Sequence, residues 1–299
     1  MMNSKILLAT LSLVAGFLVS SANAAVVVYE SFDYTSGDDI VSQNGGIGFD
    51  GAWTGAGNSE NFDVGSGQSF GSLMTAGGSS ARTARNGNGA ISRGLSAAAQ
   101  TQLTADNSTI WFSVLMDPTD AAITDGGGFA TNSYGTLIFG DTAFTSASGA
   151  SAPTNSGNAF GVGFADTSDN SGDFANVQIQ GVAYDDGVLD TSSELVVGDV
   201  TSFIVGRIDF NADGTDDVME LYNVTDPSLA LPATAFATMT ADLDQSGFNI
   251  ISIGDAQTSI FDEIRFGTTL AEVTPVAVPE PSSLALLGLG GLVLFRRRR

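Results

Sequence analysis

The sequence contains no cysteine and no histidine among its 299 residues. Several kinds of chemistry are therefore excluded: a cysteine or histidine nucleophile, a Ser-His-Asp triad, and a zinc or haem site with histidine ligands. Disulfide bonds are excluded too. The segment 25–277 does not need them, because a chain of that length buries roughly 70–75% of its unfolded surface in its own core.

Positive charge is scarce as well. Ten lysine and arginine residues stand against 33 aspartate and glutamate residues, and the formal net charge is −23. The single lysine, Lys5, and four of the arginines lie in the two end segments described below. The segment between those ends keeps five arginines: Arg82, Arg85, Arg93, Arg207 and Arg265. Such an acidic surface repels nucleic acid and anionic lipid and favours cations, so we expect no nucleic-acid partner.

The N-terminus has the pattern of a secretory signal peptide. Lys5 supplies the positive charge, Ile6–Val19 is mostly apolar, and Ala22-Asn23-Ala24 is a small-x-small cleavage site. We therefore expect signal peptidase to remove residues 1–24, which leaves Ala25 as the first mature residue. The protein is thus predicted to cross the inner membrane.

The C-terminus has three parts in a fixed order. Pro279-Glu280-Pro281 is expected to be extended, because each proline fixes φ and disfavours helix at the residue before it. Leu284–Phe295 holds only apolar residues and glycine, and as a helix it would span roughly 18 Å. That is shorter than the roughly 30 Å hydrocarbon core, which suits a transient or thinly spanning membrane anchor. Arg296–Arg299 would stay on the cytoplasmic side.

This arrangement resembles the PEP-CTERM sorting signal of Gram-negative bacteria, with Pro279-Glu280-Pro281 as the motif itself. The resemblance implies that an exosortase, a membrane transpeptidase, processes the chain near the motif. The alternative is an ordinary C-terminal membrane anchor. We therefore expect a protein of the cell envelope, the outer surface or the medium, with a domain at 25–274, a linker at 275–278 and the signal at 279–299.

The central segment is rich in Gly, Ser, Thr, Asn and Asp, which divide it into short apolar runs. Short strands at this spacing favour one all-β domain, an antiparallel β-sandwich. The predicted strands are Val26–Phe32, Ser69–Met74, Ala90–Leu95, Thr109–Met116, Gly135–Phe139, Ala159–Phe164, Val177–Tyr184, Ser202–Phe210, Val218–Val224, Phe248–Gly254 and Ile260–Gly267. Ser96–Thr104 is the best helix candidate, and 119–133 and 141–158 are predicted loops. In Ser202–Phe210 the predicted core face is Ile204, Gly206, Ile208 and Phe210.

The central segment also resembles the concanavalin-like and laminin-G-like jelly-roll domains. The resemblance is carried by Tyr29–Tyr34 with Gly51–Trp53, by Gly206–Phe210 through Leu221–Asn223, and by Phe261–Thr269. It implies a two-sheet fold in which the first and last strands pair, and which often binds glycans or calcium.

Residues 209–220 match D-x-N-x-D-G followed by five residues and Glu, the pattern of a twelve-position calcium loop. The predicted ligands are Asp209, Asn211, Asp213, Thr215, Asp217 and Glu220, and Gly214 makes the sharp turn. Strand-like flanks replace the two helices of an EF-hand. The alternative is therefore a β-hairpin whose tip contains Asn, Asp and Gly because turns need those residues.

Two tryptophans are candidates for stacking on sugar rings. Trp53 lies in a loop-like stretch and is the better candidate, with a position in the core as its alternative. Trp111 lies in an apolar strand and is expected in the core. Asp262 and Glu263 suggest the carboxylate pair of a glycosidase, but neighbouring residues of a strand point to opposite faces. We expect one of these acids to pair with Arg265 or another arginine instead.

These patterns favour an exported, non-catalytic protein that binds extracellular polysaccharide or forms part of a matrix, with Ca²⁺ as the candidate cofactor. The C-terminal helix would contact the membrane before processing. The alternative is a polysaccharide-active enzyme on the same fold, a glycoside hydrolase or lyase. A hydrolase needs two carboxylates converging in a groove. A third class is a self-associating structural protein.

Overall fold

The computed structural model describes residues 25–82, 89–117, 135–145, 154–166, 177–198, 200–255 and 259–276. The predicted signal peptide and sorting signal lie outside these residues, as does most of the two predicted long loops. Across the described ranges, no helix is long and apolar enough to cross a membrane.

The described chain is built mainly of short strands. These are β1 (Val28–Glu30), β2 (Phe49–Gly57), β3 (Phe62–Ser66), β4 (Gly78–Arg82), β5 (Gly89–Leu95), β6 (Ser108–Asp117), β7 (Thr136–Gly140), β8 (Ala159–Asp166), β9 (Val177–Asp185), β10 (Val188–Val196), β11 (Ser202–Phe210), β12 (Asp217–Val224), β13 (Ala237–Ala241), β14 (Ile250–Asp255) and β15 (Ile260–Gly267). Two short helices accompany them, α1 (Ala97–Leu103) and α2 (Leu270–Val273).

The strands form two antiparallel sheets. Sheet A has the order β13-β12-β11-β6-β15-β4-β3, with β1 also paired to β15, and sheet B has the order β10-β9-β8-β7-β14-β5-β2. The main core lies between the sheets, where the rings of Phe139 in sheet B and Phe266 in sheet A have centroids 5.3 Å apart. The predicted antiparallel β-sandwich is confirmed. The first and last strands pair as the resemblance implied, with Val28 opposite Phe266.

All predicted strands but one overlap observed strands, and the predicted helix is present as α1, capped by the Ser96 hydroxyl. The exception is Ser69–Met74, which forms no strand. The backbone N–H groups of Ser72 and Met74 donate to the carbonyls of Pro227 and Pro275 rather than to a sheet neighbour. The strands that the prediction missed are β2, β3, β4, β10 and β13, which lie at or next to the sheet edges.

The outer face of sheet A, which points away from sheet B, is only partly covered. In β11, Ile204, Ile208 and Phe210 enter the main core as predicted, yet the alternate residues Phe203 and Val205 are buried too. They belong to a second hydrophobic cluster: Leu73, Leu115, Phe203, Val205, Val224, Leu229 and Val273. Segment 67–77, the 225–235 connection and α2 thus cover one part of this face and leave the rest open.

The last described residues, Pro275 and Val276, pair with the segment 67–77 that covers sheet A. Pro275 and Val276 were expected to belong to the linker, but the N–H of Met74 donates to the Pro275 carbonyl at 2.8 Å. Leu73 and Val276 form an antiparallel bridge. Residues 275 and 276 are therefore part of the folded domain.

Candidate functional site

The predicted calcium loop, residues 209–220, is a β-hairpin. Strands β11 and β12 pair directly, with Asp209 opposite Val218 and Arg207 opposite Glu220. Gly214, at the tip, has a φ of +84°, which glycine adopts without strain. Because the strand ladder runs into the motif from both sides, the first and last predicted ligands lie on strands and not around a loop.

Of the predicted ligands near the tip, Asp217 is buried with backbone partners, whereas Asp213 and Thr215 are exposed. Asp217 is 1% exposed, and its carboxylate accepts the N–H groups of Asn211 at 2.7 Å and Leu243 at 3.3 Å. Asp213 and Thr215 lie exposed at the tip. In the part of the chain that the structure describes, no group of three or more acidic side chains is placed to hold a metal ion. These residues fit the hairpin alternative and do not fit a twelve-position calcium loop.

The first and last predicted ligands meet at Arg207, on the open part of the outer face of sheet A. The guanidinium contacts the carboxylates of Asp209 at 2.8 Å and Glu220 at 3.5 Å. The Tyr222 hydroxyl donates to Glu220 at 2.9 Å, and the Thr109 hydroxyl donates to Asp209 at 2.5 Å. Both carboxylates therefore have two side-chain partners each.

Trp111 completes this group of side chains. It lies directly opposite Arg207 in the β6–β11 ladder, and like Tyr222 it is partly buried against the second hydrophobic cluster. The side chains of Arg207, Asp209 and Glu220 are 38%, 31% and 30% exposed. We call the six residues the Arg207 cluster: Thr109, Trp111, Arg207, Asp209, Glu220 and Tyr222. They come from three adjacent strands, so the sheet itself fixes their spacing.

A surface pocket of about 380 Å³ adjoins the Arg207 cluster and shares Thr109 and Asp209 with it. We call it the Asn107 pocket, and its lining is Asn107, Ser108, Thr109, Asp209, Phe210, Asn211 and Val218. Most of its polar groups are hydroxyls and amides, which both donate and accept hydrogen bonds. Such a lining suits a ligand rich in hydroxyl groups.

Trp53, the better of the two candidates for a sugar platform, lies in the core, which was its alternative. Its side chain is 1% exposed, and its ring stacks on Phe32 with centroids 5.7 Å apart. The indole N–H donates at 3.1 Å to Glu30, which also forms a buried ion pair with Arg93 at 2.8 Å. No ring face is left for a sugar. Trp111, expected in the core, is the more exposed of the two tryptophans.

The predicted pairing with Arg265 is present, through Glu263, but the backbone differs from the expectation. A register shift between Asp262 and Arg265 marks a β-bulge, and Glu263 has a φ of +54°. Strand alternation is interrupted, and both acids bond to the same covering segment. Asp262 accepts the N–H of Gln68 at 2.7 Å, and Glu263 accepts that of Ala76 at 2.6 Å. Both acids are 0% exposed, so they fasten the cover and cannot meet a substrate.

Burial controls the protonation of these two acids. It outweighs the two amide hydrogen bonds to Asp262 and raises the pKa of that carboxyl to about 8. Burial also raises the pKa of Glu263, although the ion pair with Arg265 opposes the shift. Asp262 is therefore mostly protonated at neutral pH.

The sequence indicated only part of the Arg207 cluster. Alternation in β11 places Arg207 and Asp209 on one face, and the calcium pattern singled out Glu220. Trp111 and Tyr222 carry no local signal, because their place beside Arg207 depends on which strands pair and in which register.

Among curated proteins, none matches the sequence. Solved structures are similar at low identity. One is a GH43 glycoside hydrolase engineered to display endo-xylanase and exo-arabinofuranosidase activity. It is 9% identical with a TM-score of 0.42, and the match covers 79% of this chain and 41% of the hydrolase. A β-1,3-glucanase from Mycobacterium marinum is 9% identical with a TM-score of 0.38, covering 82% and 99%. A seed lectin from Lotus tetragonolobus is 10% identical with a TM-score of 0.32, covering 72% and 98%.

A bifunctional GH43-CE protein from Bacteroides eggerthii is 12% identical with a TM-score of 0.38. The match covers 78% of this chain but only 26% of that larger protein. Likeness at this level concerns the fold alone.

The C-terminus matches a known signal. Residues 277–299 match the PEP-CTERM protein-sorting motif, which confirms the resemblance seen at residues 279–299. The motif indicates export and sorting to the cell envelope in Gram-negative bacteria. The chain is therefore an antiparallel β-sandwich that carries a PEP-CTERM protein-sorting motif.

Proposed function

We propose that an exosortase sorts this protein to the cell envelope or extracellular matrix, where it binds polysaccharide without cleaving it. The sorting motif supports the destination. The observation that carries the binding function is the Arg207 cluster, with the Asn107 pocket beside it, on the open part of sheet A.

The Arg207 cluster offers the groups that sugar recognition uses. Trp111 and Tyr222 supply partly exposed aromatic surface against which a sugar ring packs, and the charged side chains supply donors and acceptors. These two aromatics lie two strands apart, on rows two residues apart, which separates their Cα atoms by roughly 12 Å. Linked sugar rings can contact both aromatics along one glycan chain.

The contacts within the cluster favour binding over cleavage. A glycosidase needs one carboxyl group as proton donor and a second as base or nucleophile, both facing the scissile bond. Here Asp209 and Glu220 share one guanidinium, and a charge-assisted contact of this kind engages them as anions. The proposed role therefore uses both carboxylates as hydrogen-bond acceptors.

A polysaccharide-active enzyme, a hydrolase or a lyase, is the second candidate function. One observation favours it: Asp209 and Glu220 converge on Arg207 beside a surface pocket. Turnover of a polysaccharide by the purified protein, lost in Glu220→Gln, would decide for the enzyme.

A binding screen tests the leading proposal. The full chain, purified in mild detergent, is exposed to a panel of polysaccharides with calcium and with chelator. We expect Trp111→Ala to weaken binding about tenfold, and Trp111→Phe, which keeps an aromatic face, to retain most of it. The proposal is contradicted if no glycan binds, or if Trp111→Ala binds as well as the unaltered protein.

Mass spectrometry of the exported protein tests the sorting route. We expect the mature chain to begin at Ala25 and cells without the exosortase to keep a heavier form that retains Pro279-Glu280-Pro281 and the residues after it. Identical mature masses with and without the enzyme would contradict exosortase processing.

A further inference from the structure

The charges on the open part of sheet A indicate a class of glycan. Building on the proposed function, we propose that the Arg207 cluster and the Asn107 pocket select glycans that carry no carboxylate or sulfate group. Amino sugars with a free ammonium group bind most tightly.

The Arg207 cluster holds one negative charge in excess. Arg207 is its cation, and Asp209 and Glu220 are its two anions. A uronate or sulfate that approaches the guanidinium also comes close to both carboxylates, which repel it. An ammonium group instead adds a partner to a carboxylate, so the existing contacts oppose acidic sugars and favour amino sugars.

More acidic residues lie next to the hairpin tip. Asp106 accepts the side-chain amide of Gln245 at 2.6 Å, and Asp242 accepts the N–H of Gly214 at 3.0 Å. Asp217 lies buried at the start of β12. Asp106 precedes Asn107 of the pocket lining, and Asp242 contacts the tip of the same hairpin. Both acids add negative potential on this side of the domain, which attracts cationic ligands and repels anionic ones.

Little positive charge is present to offset this field. The sequence has no lysine after Lys5. Of the arginines whose side chains the structure describes, Arg93 and Arg265 are buried in ion pairs with Glu30 and Glu263. Arg207 is thus the arginine that the structure places on the open face, and both of its neighbouring acids already contact it.

The Asn107 pocket supports the same selectivity. Its lining holds hydroxyl and amide groups and one carboxylate, that of Asp209, and it includes no arginine or lysine. Sugar hydroxyls and an ammonium group find acceptors there. A carboxylate or sulfate would lose water without gaining a cationic partner, which costs free energy.

Three hexasaccharides of matched length test the proposal with the full chain in mild detergent: a glucosamine hexamer, cellohexaose and a galacturonate hexamer. We expect the glucosamine hexamer to bind most tightly, with an affinity that falls as salt rises. Cellohexaose should bind less tightly, and the galacturonate hexamer should not bind.

Two matched variants separate a site from general attraction to an acidic protein. Glu220→Gln removes one charge from the Arg207 cluster and keeps an acceptor for Arg207 and Tyr222. Glu194→Gln removes one exposed charge from β10, in sheet B. We expect Glu220→Gln to weaken glucosamine binding about fivefold and to weaken cellohexaose binding by a smaller factor, because the amide keeps an acceptor but loses the charge. Glu194→Gln should leave both unchanged.

Each other outcome has a distinct meaning. Galacturonate binding as tight as glucosamine binding overturns the selectivity and leaves glycan binding in place. Equal losses in Glu220→Gln and Glu194→Gln also overturn it, because the attraction would then be general. No binding of any hexamer or polysaccharide overturns the proposed function itself.

Discussion

Arg265 and Arg207 lie on the same face of sheet A, separated by the single strand β6, and their surroundings are opposite. Arg265 is 3% exposed, contacts Glu263, donates to the Met74 carbonyl at 2.6 Å and lies over the Tyr29 ring at 4.5 Å. Arg207 is 38% exposed. The residues are of the same types, an arginine with nearby acids, and what differs is the cover above them.

The segments that pack over the sheet determine how far each arginine is exposed to water. Segment 67–77 and α2 exclude water from Arg265 and its acids. A buried ion pair stabilises the fold only while both partners are present, because either one alone would be a buried charge. Exposed ion pairs contribute little to stability because water and salt screen them. The exposed position of Arg207 is therefore compatible with the proposed binding role, whereas the buried Arg265 stabilises the fold.

Arg265→Met tests this contrast with the largest expected effect. The substitution leaves Glu263 buried without its cation, and we expect the free energy of unfolding to fall by about 3–5 kcal/mol. For a domain of this size that lowers Tm by roughly 10 °C, measured by calorimetry. The double variant Arg265→Met/Glu263→Gln should recover part of the loss. If Arg265→Met lowered Tm no more than Arg207→Met does, the contrast between the buried and the exposed arginine would be contradicted.

Asp262→Asn should reduce the pH dependence of stability near neutral pH. The folded pKa of Asp262 is about 8, above its ordinary value of 3.8. The folded state therefore holds a proton that the unfolded chain releases, and stability falls as pH rises from about 4 to 8. Without histidine or cysteine, few other side chains titrate there.

Calorimetry at two pH values measures this effect. We expect the unaltered protein to have a Tm several degrees lower at pH 8.5 than at pH 5.5, and Asp262→Asn to show a smaller difference. A Tm that rises with pH over this range would show that the burial of Asp262 does not determine the pH dependence of stability.

Arg207→Met should change stability little. The ion pairs of Arg207 are exposed to water, so the free energy of unfolding should change by less than about 1 kcal/mol. Denaturant unfolding measures it, with Arg265→Met as the matched buried control. A loss as large as that of Arg265→Met would mean that the open part of the face also serves stability.

Calcium should have the smallest effect. Arg207 contacts Asp209 and Glu220, and two backbone N–H groups donate hydrogen bonds to the carboxylate of Asp217. We therefore expect the Tm in millimolar calcium to equal the Tm in chelator. A calcium-dependent rise in Tm that is lost in Asp213→Asn would restore the calcium-loop interpretation of residues 209–220.

The fold was largely predictable because its strands carry their own signal. Apolar runs bounded by Gly, Asn and Asp identified the central strands, among them β6 and β11. The edge strand β10 was missed because its side chains are mostly exposed, so it has no buried alternation to detect. Ser69–Met74 was wrong for the opposite reason, since its apolar residues Phe70 and Leu73 pack onto the sheet and do not extend it.

The candidate site was less predictable than the fold. Periodicity placed Arg207 and Asp209 on one face of a strand, but it could not show that Trp111 would face them. Periodicity therefore gave Trp53 preference over Trp111 as a sugar platform, although Trp53 is the buried one of the two. Burial of a single aromatic depends on strand register and on the segments that cover the sheet, and neither is a local property of the sequence.

The sequence by itself determined the class of the fold, the acidic character of the chain and the sorting motif at residues 277–299. Each of these follows from composition or from residues close together in the chain. Only the tertiary structure decided which arginine is covered and which acids meet in the open, because strand pairing and the path of segment 67–77 bring together residues far apart in sequence. Glu263 and Ala76 are 187 positions apart and joined by one hydrogen bond.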